Sequence, residues 1–285
     1  MNSNISLIEC PRDAMQGWKN FIPTPKKVEY INALLKVGFD TIDFGSFVSA
    51  KAIPQMADTK EVISQLSIEN SKTKLLAIIA NVRGAKEAVA FDKISLLGFP
   101  FSVSPTFQKR NTNSTIEESL KGVAEIQNIS IKKNKQLVVY ISMGFGNPYG
   151  DIYNEEIVIN WIDKLINLDI KIISLADTVG LATPKQISSL LKKVILKFTN
   201  IEIGVHLHSS PVNWKEKIDA ALEAGCKKFD GALKGIGGCP FADDELVGNI
   251  DTGLMISYFE KKNILHGIDK DALQYSLDLA HEIFK

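Results

Sequence analysis

The chain has 285 residues, 45% of them hydrophobic, enough to bury one large core or two small ones. Its 33 basic and 33 acidic residues cancel without any long run of like charge, which argues against a nucleic-acid or anionic-membrane surface. No apolar run approaches the ~20 residues of a membrane span, strand-like sequence begins by Ile5 with no room for a targeting peptide, and Cys10, Cys226 and Cys239 are too scattered for a zinc ribbon or disulfide framework. A soluble cytoplasmic protein is expected.

Strand-like and helix-like segments alternate along the whole chain. Residues 5–9 read as a first strand, followed by a helix that Thr24 caps and Pro25 opens, ending at Gly38. A strand at 41–44 and a helix over 53–66, delayed or broken by Pro54, come next. Strands at 74–80 and 93–97 enclose a short helix at 83–91, and Ser114 with Glu117 has the spacing of a capping box for the next helix. The second half repeats the pattern: a strand at 136–142, a helix capped by Asn154, a strand at 170–176, and a helix announced by Thr183 and Pro184. The seventh strand covers 201–208 and its helix 211–224; the eighth covers 228–232, with a glycine-rich loop and a helix from about 243 to 259 after it. Eight strand–helix units predict a (β/α)8 TIM barrel in one domain over residues 1–285, with 263–285 a helical addition capped by Asp269; a doubly wound sheet is the alternative.

The seventh strand carries the most pointed signal. Its side chains alternate, so Ile201, Ile203, Val205 and Leu207 form one face while Glu202, Gly204, His206 and His208 form the other. The histidines sit at the C-terminal end, where parallel α/β folds bind ligands. A His-X-His pair can also be two polar residues on a half-exposed strand, so the remaining ligands must come from elsewhere.

Other strand ends supply candidates. The first leads into Cys10-Pro11-Arg12-Asp13-Ala14-Met15-Gln16, the second gives Asp43 and Ser46, the third Asn81, and the sixth Ser174, Asp177 and Thr178. Asp13, His206, His208 and Asn249 form a mixed nitrogen and oxygen set suited to Mg2+ or Mn2+. Arg12 keeps its charge and presents a donor fork, which suits an oxyanion or enolate. Arg12, Asp43, Asp177 and Cys239 are the expected catalytic residues, and Arg12, Gln16, Ser46, Asn81 and Ser174 the expected substrate contacts. Cys239, in the loop Gly235-Ile236-Gly237-Gly238-Cys239-Pro240, is protonated near neutral pH, an unperturbed thiol having a pKa of ~8.5, and can protonate a carbanion. Cys10 and Cys226 read as small buried hydrophobes.

These segments resemble the 3-hydroxy-3-methylglutaryl-CoA lyases, metal-dependent barrels marked by Arg-Asp after strand one and His-X-His on strand seven. The similarity runs over about residues 8–252 and includes Ser46-Phe47-Val48-Ser49, Pro54-Gln55-Met56, Ser174 through Gly180, and Gly235 through Phe241 followed by Gly248-Asn249. The resemblance implies cleavage of hydroxymethylglutaryl-CoA to acetyl-CoA and acetoacetate. It also implies a divalent metal on Asp13, His206, His208 and Asn249, enolate stabilisation by Arg12, proton donation by Cys239, an acyl-CoA substrate and a homodimer.

Three positions depart from the family: Asp43 stands where a glutamate is usual, Ser209 follows His208 where an aspartate is usual, and Gly253 replaces a common glutamate. If Asn249 and Gly253 share a helix, they sit one turn apart and the missing carboxylate leaves Asn249 less firmly oriented. A condensing enzyme or other acyl-CoA or oxo-acid lyase of the same superfamily, and a barrel that binds acyl-CoA without turnover, are the competing readings.

Overall fold

A computed structural model describes residues 5–238 and 247–285 of the protein. Eight parallel strands close into a barrel in sequence order: β1 (Ser6–Glu9), β2 (Thr41–Ser46), β3 (Lys74–Ile78), β4 (Ile94–Ser102), β5 (Gln136–Ser142), β6 (Ile172–Asp177), β7 (Glu202–Leu207) and β8 (Lys228–Gly231), with β8 pairing back to β1. Alternation divides each strand. Residues such as Ile173, Leu175, Ile203 and Val205 join the large apolar layer between barrel and helices, whereas Leu76, Leu96, Val138 and Ile172 fill the interior. Gly98 faces that interior, where a Cβ would come within 2.5 Å of Ile78 Cδ1, so its hydrogen makes room for the packed layer.

The helices are α1 (Pro11–Gln16), α2 (Thr24–Val37), α3 (Thr59–Gln65), α4 (Val82–Ala88), α5 (Pro105–Thr112), α6 (Ile116–Lys132), α7 (Glu155–Ile166), α8 (Pro184–Lys197), α9 (Trp214–Glu223), α10 (Thr252–Lys261) and α11 (Lys270–Ile283). Phe259 of α10 packs on Phe229 of β8 with ring centroids 5.2 Å apart, making α10 the cover of the eighth strand. The additional helix α11, capped by Asp269, lies against α2; just beyond its end, Phe284 meets Trp18 and Tyr30 edge-on at 5.3 and 6.2 Å. No helix among the described residues is long and apolar enough to cross a membrane.

Several local expectations are corrected. β4 continues through Gly98 and Pro100 to Ser102, because β3 and β5 flank it along that length. Two helices, α1 and α5, are too short for periodicity to reveal. The capping box belongs to Thr115 and Glu118, one residue later than expected: Thr115 Oγ1 accepts from Glu118 N–H at 3.1 Å and Glu118 Oε2 from Thr115 N–H at 2.8 Å. Thr24 is already helical, with Pro23 at the cap, and its hydroxyl donates to Asp58 at 2.7 Å.

The helix expected from 243 begins, in its described part, only at Thr252, where Asp251 caps it by accepting from Gly253 N–H at 2.8 Å. Asn249 instead bridges His208 in extended backbone. Asn249 and Gly253 therefore share no helix face, and the proposed effect of the missing carboxylate loses its geometric basis.

Candidate active site

Pro11, at the first position of α1, starts a single tight turn of helix directly above β1 and presents Arg12 and Asp13 to the barrel mouth. Arg12 is almost fully buried. Its Nε donates to Asp43 Oδ2 at 3.0 Å, Nη2 bonds the same oxygen, and Nη1 donates to Asp13 Oδ1 at 2.8 Å. Burial disfavours the guanidinium charge, but Asp43 and Asp13 more than offset it, so Arg12 stays charged. Burial pushes Asp43 up to about 6 despite Arg12. Asp13 is held below the usual carboxylate range because Arg12, His206 and His208 outweigh its burial.

His206 and His208 both point into the barrel, as the strand parity requires. His208 Nδ1 lies 3.0 Å from the Thr178 carbonyl, which can only accept, so Nδ1 carries the proton and Nε2 a lone pair. His206 is in register with Asp230 of β8, and its Nδ1 lies 3.2 Å from Asp230 Oδ2, which fixes the same tautomer. The two Nε2 atoms then face each other at 3.3 Å. Burial, with His206 adding to it, drives His208 down to about 4. Burial also disfavours charge on His206, yet the hydrogen bond and charge of Asp230 raise it overall.

Asn249 closes the group, its Nδ2 donating to Asp13 Oδ2 at 2.7 Å and to the Ile236 carbonyl at 2.9 Å. Its Oδ1 is buried without a hydrogen-bond partner among the described residues. Asp13, His206 and His208 have ligand atoms mutually within 4.8 Å. Facing imidazole lone pairs, a low-pKa carboxylate and an orphan amide oxygen are what a divalent cation satisfies together, so the residues fit the metal that the donor set implies.

A cavity of about 400 Å³ opens above this group, lined by Arg12, Asp13, Gln16, Asn81, His206 and His208 among others. Gln16 donates to Asp13 Oδ1 at 2.7 Å, and Asn81 caps α4 by accepting from Gly84 N–H at 3.0 Å. Asp43 lies behind Arg12 and does not line the cavity. Ser46 and Ser174, expected as substrate contacts, are buried outside the lining, each hydroxyl lacking a partner among the described residues.

Asp177, expected to be catalytic, faces the other way. It shares the outward face of β6 with Leu175 and pairs there with Lys217 of α9 at 2.7 Å, while its second oxygen accepts from Ala182 N–H at 3.0 Å. Cys239 lies outside the described residues.

Three residues were missed from the sequence. Asp230 was legible, since it falls in the expected eighth strand at the level of His206. Tyr140 lines the cavity edge-on to His206 with centroids 6.0 Å apart, and a single aromatic within a strand carries no sequence signal of that place. Lys217 is fully buried, donating to Asp177, to the Gly180 carbonyl at 3.1 Å and to the His208 carbonyl at 2.7 Å. A lysine within an amphipathic helix carries no sign of such a role.

A family model described as HMGL-like matches residues 5–279. The cytoplasmic 3-hydroxy-3-methylglutaryl-CoA lyase of Rattus norvegicus is 31% identical over 266 residues, which cover 93% of this chain and 77% of the rat protein. An HMG-CoA lyase from Acinetobacter baumannii, solved in complex with coenzyme A and 3-methylmalate, superposes with a TM-score of 0.90 at 31% identity, covering 98% of this chain and 91% of the other. The Bacillus subtilis HMG-CoA lyase gives 0.92 at 29% identity, covering 99% and 94%. By sequence and by structure, the chain belongs to the HMGL-like family.

Proposed function

We propose that the protein is a carbon–carbon lyase that cleaves 3-hydroxy-3-methylglutaryl-CoA to acetyl-CoA and acetoacetate. The observation that carries this reading is the pair of facing Nε2 lone pairs of His206 and His208, grouped with Asp13 and Asn249 beside the Arg12 guanidinium. A divalent ion, Mg2+ or Mn2+, on those four residues would supply a Lewis acid for the substrate's oxygen atoms.

The remaining chemistry belongs to the chain. Cleavage requires the substrate's tertiary hydroxyl to lose its proton to water, its C–O bond becoming the acetoacetate carbonyl as the C–C bond breaks, and leaves that bond's electron pair on the thioester fragment as an enolate. Arg12 has one further N–H on each of Nη1 and Nη2 beyond those bonded to Asp13 and Asp43, and these serve the developing enolate oxygen. Asp43 positions that guanidinium. Burial pushes the Tyr140 phenol up, so this cavity-lining side chain keeps its hydroxyl proton. Cys239 is the proposed donor of the proton that turns the enolate into acetyl-CoA. Val48, Ala52, Ile53 and Phe107 give the cavity an apolar wall for the acyl-thioester arm, and Arg83 and Arg110 bring cations to its lining for the CoA phosphates. Release of acetoacetate from hydroxymethylglutaryl-CoA in the presence of Mg2+ is the test.

A further inference from the structure

Beside the four candidate ligands, and sharing His206 with them, lies a second group of donors. β1, β8 and β7 are neighbours in the barrel, with Ile8 in register with Asp230 and Asp230 in register with His206. Cys10, two residues beyond Ile8, shares its inward face. The ligand atoms of Cys10, His206 and Asp230 all lie within 4.8 Å of one another, and all three residues are buried. Asp230, 3% exposed, has its Oδ1 without a hydrogen-bond partner among the described residues. Among the described residues the Cys10 thiol makes one long hydrogen-bond contact, 3.9 Å to the Ile8 carbonyl.

We infer that Cys10, His206 and Asp230 form an inner site for a thiophilic divalent ion such as Zn2+ or Cd2+, separate from the outer set and exclusive of it. Thiolate, imidazole and carboxylate are a donor set that a soft or borderline ion accepts and Mg2+ does not. Binding displaces the thiol proton. Exclusivity follows from one ring. Nδ1 of His206 faces Asp230 and Nε2 faces His208, and a neutral imidazole has a single lone pair. An ion on Nδ1 moves the ring proton to Nε2, and the outer set then loses a ligand. Thiophilic ions therefore oppose Mg2+ or Mn2+ at this inner site through the shared His206, in addition to any direct replacement in the outer set.

The test is a Cd2+ titration of the metal-free protein, following the ultraviolet thiolate-to-cadmium charge-transfer band, a readout independent of any turnover. The parent and Cys239→Ser should both develop the band, Cys10→Ser should not, and added Mn2+ should raise the Cd2+ needed for half the signal. A band lost in Cys239→Ser, kept in Cys10→Ser, or indifferent to Mn2+ overturns the inference. Asp230→Asn guards against a misfolded Cys10 variant: it should need at least ~10-fold more Cd2+, and parental affinity in that variant overturns the site as well.

Discussion

His206 and His208 aim their Nε2 atoms at each other across 3.3 Å, while the Asp230 carboxylate and the Thr178 carbonyl hold the opposite nitrogens. Two lone pairs at that separation repel unless a proton or a cation lies between them. Burial makes the proton costly on His208, which is driven down to about 4, whereas Asp230 raises His206; the Asp13 carboxylate and the unpartnered Asn249 Oδ1 beside the pair suit a cation better than a proton. The pair is thus set for a metal ion. His208→Ala should lose tight Mn2+ binding and turnover together; titration calorimetry showing parental Mn2+ affinity would remove His208 from the ligand set.

Asp230 should matter through His206. Partners that orient a ligand typically contribute about 10–100-fold to metal affinity or activity. Asp230→Asn keeps the shape and loses the charge, so Mn2+ affinity should fall within that range while the fold persists by circular dichroism. Unchanged affinity would mean that Asp230 does not set the tautomer.

Arg12 is held at three nitrogens by Asp43 and Asp13, which aims the rest of its planar fork. Lysine keeps a point charge without the fork. Arg12→Lys should therefore lower kcat far more than it raises KM, because the enolate charge develops in the transition state. Near-parental kcat would show that the fork is dispensable.

If Cys239 delivers the proton, Cys239→Ala should reduce turnover by about 10²–10⁴-fold, the usual contribution of a general acid, and leave Mn2+ binding intact. Cys226→Ala is the control. That thiol is buried beside the Ile203 and Lys228 carbonyls, and burial pushes it up to about 12. Equal turnover of the two variants would contradict the assignment.

Glu9 gives a pH prediction for stability. Buried at the end of β1, it accepts from Leu233 N–H at 2.9 Å; burial pushes it up to about 8, with Thr252 and Leu233 acting in the opposite direction. The folded state then holds a proton that the unfolded state has lost, so stability is fullest below the unfolded value of 4.5 and declines as pH rises through about 8. The slope in that window approaches ~1.4 kcal/mol per pH unit. Glu9→Gln removes it. Urea unfolding at pH 6 and pH 8 should show the parent losing on the order of 2–3 kcal/mol relative to the variant; parallel pH dependence of the two proteins would show that Glu9 is ionised in the fold.

The barrel was legible because apolar strands, capped helices and glycine stops alternate without interruption. The orientation of His206 and His208 was legible because a strand has only two faces. The same parity turns Asp177 outward with Leu175, so its place at a strand end does not by itself bring it to the barrel mouth. Asn249 shows where local reading stops: its extended backbone is set by a bridge to His208, a contact that no window around residue 249 contains. Lys217 shows it again, since two of its three acceptors, Asp177 Oδ2 and the Gly180 carbonyl, lie 40 and 37 residues away in sequence.

The central claim is that the group around Arg12, Asp13, His206, His208 and Asn249 performs metal-dependent lyase chemistry. Its most direct test is incubation of the metal-loaded protein with 3-hydroxy-3-methylglutaryl-CoA, measuring acetoacetate and acetyl-CoA. Equal amounts of the two products, abolished by a chelator and restored by Mg2+ or Mn2+, are predicted. No acetoacetate from a folded protein shown to bind Mn2+ would contradict the assignment.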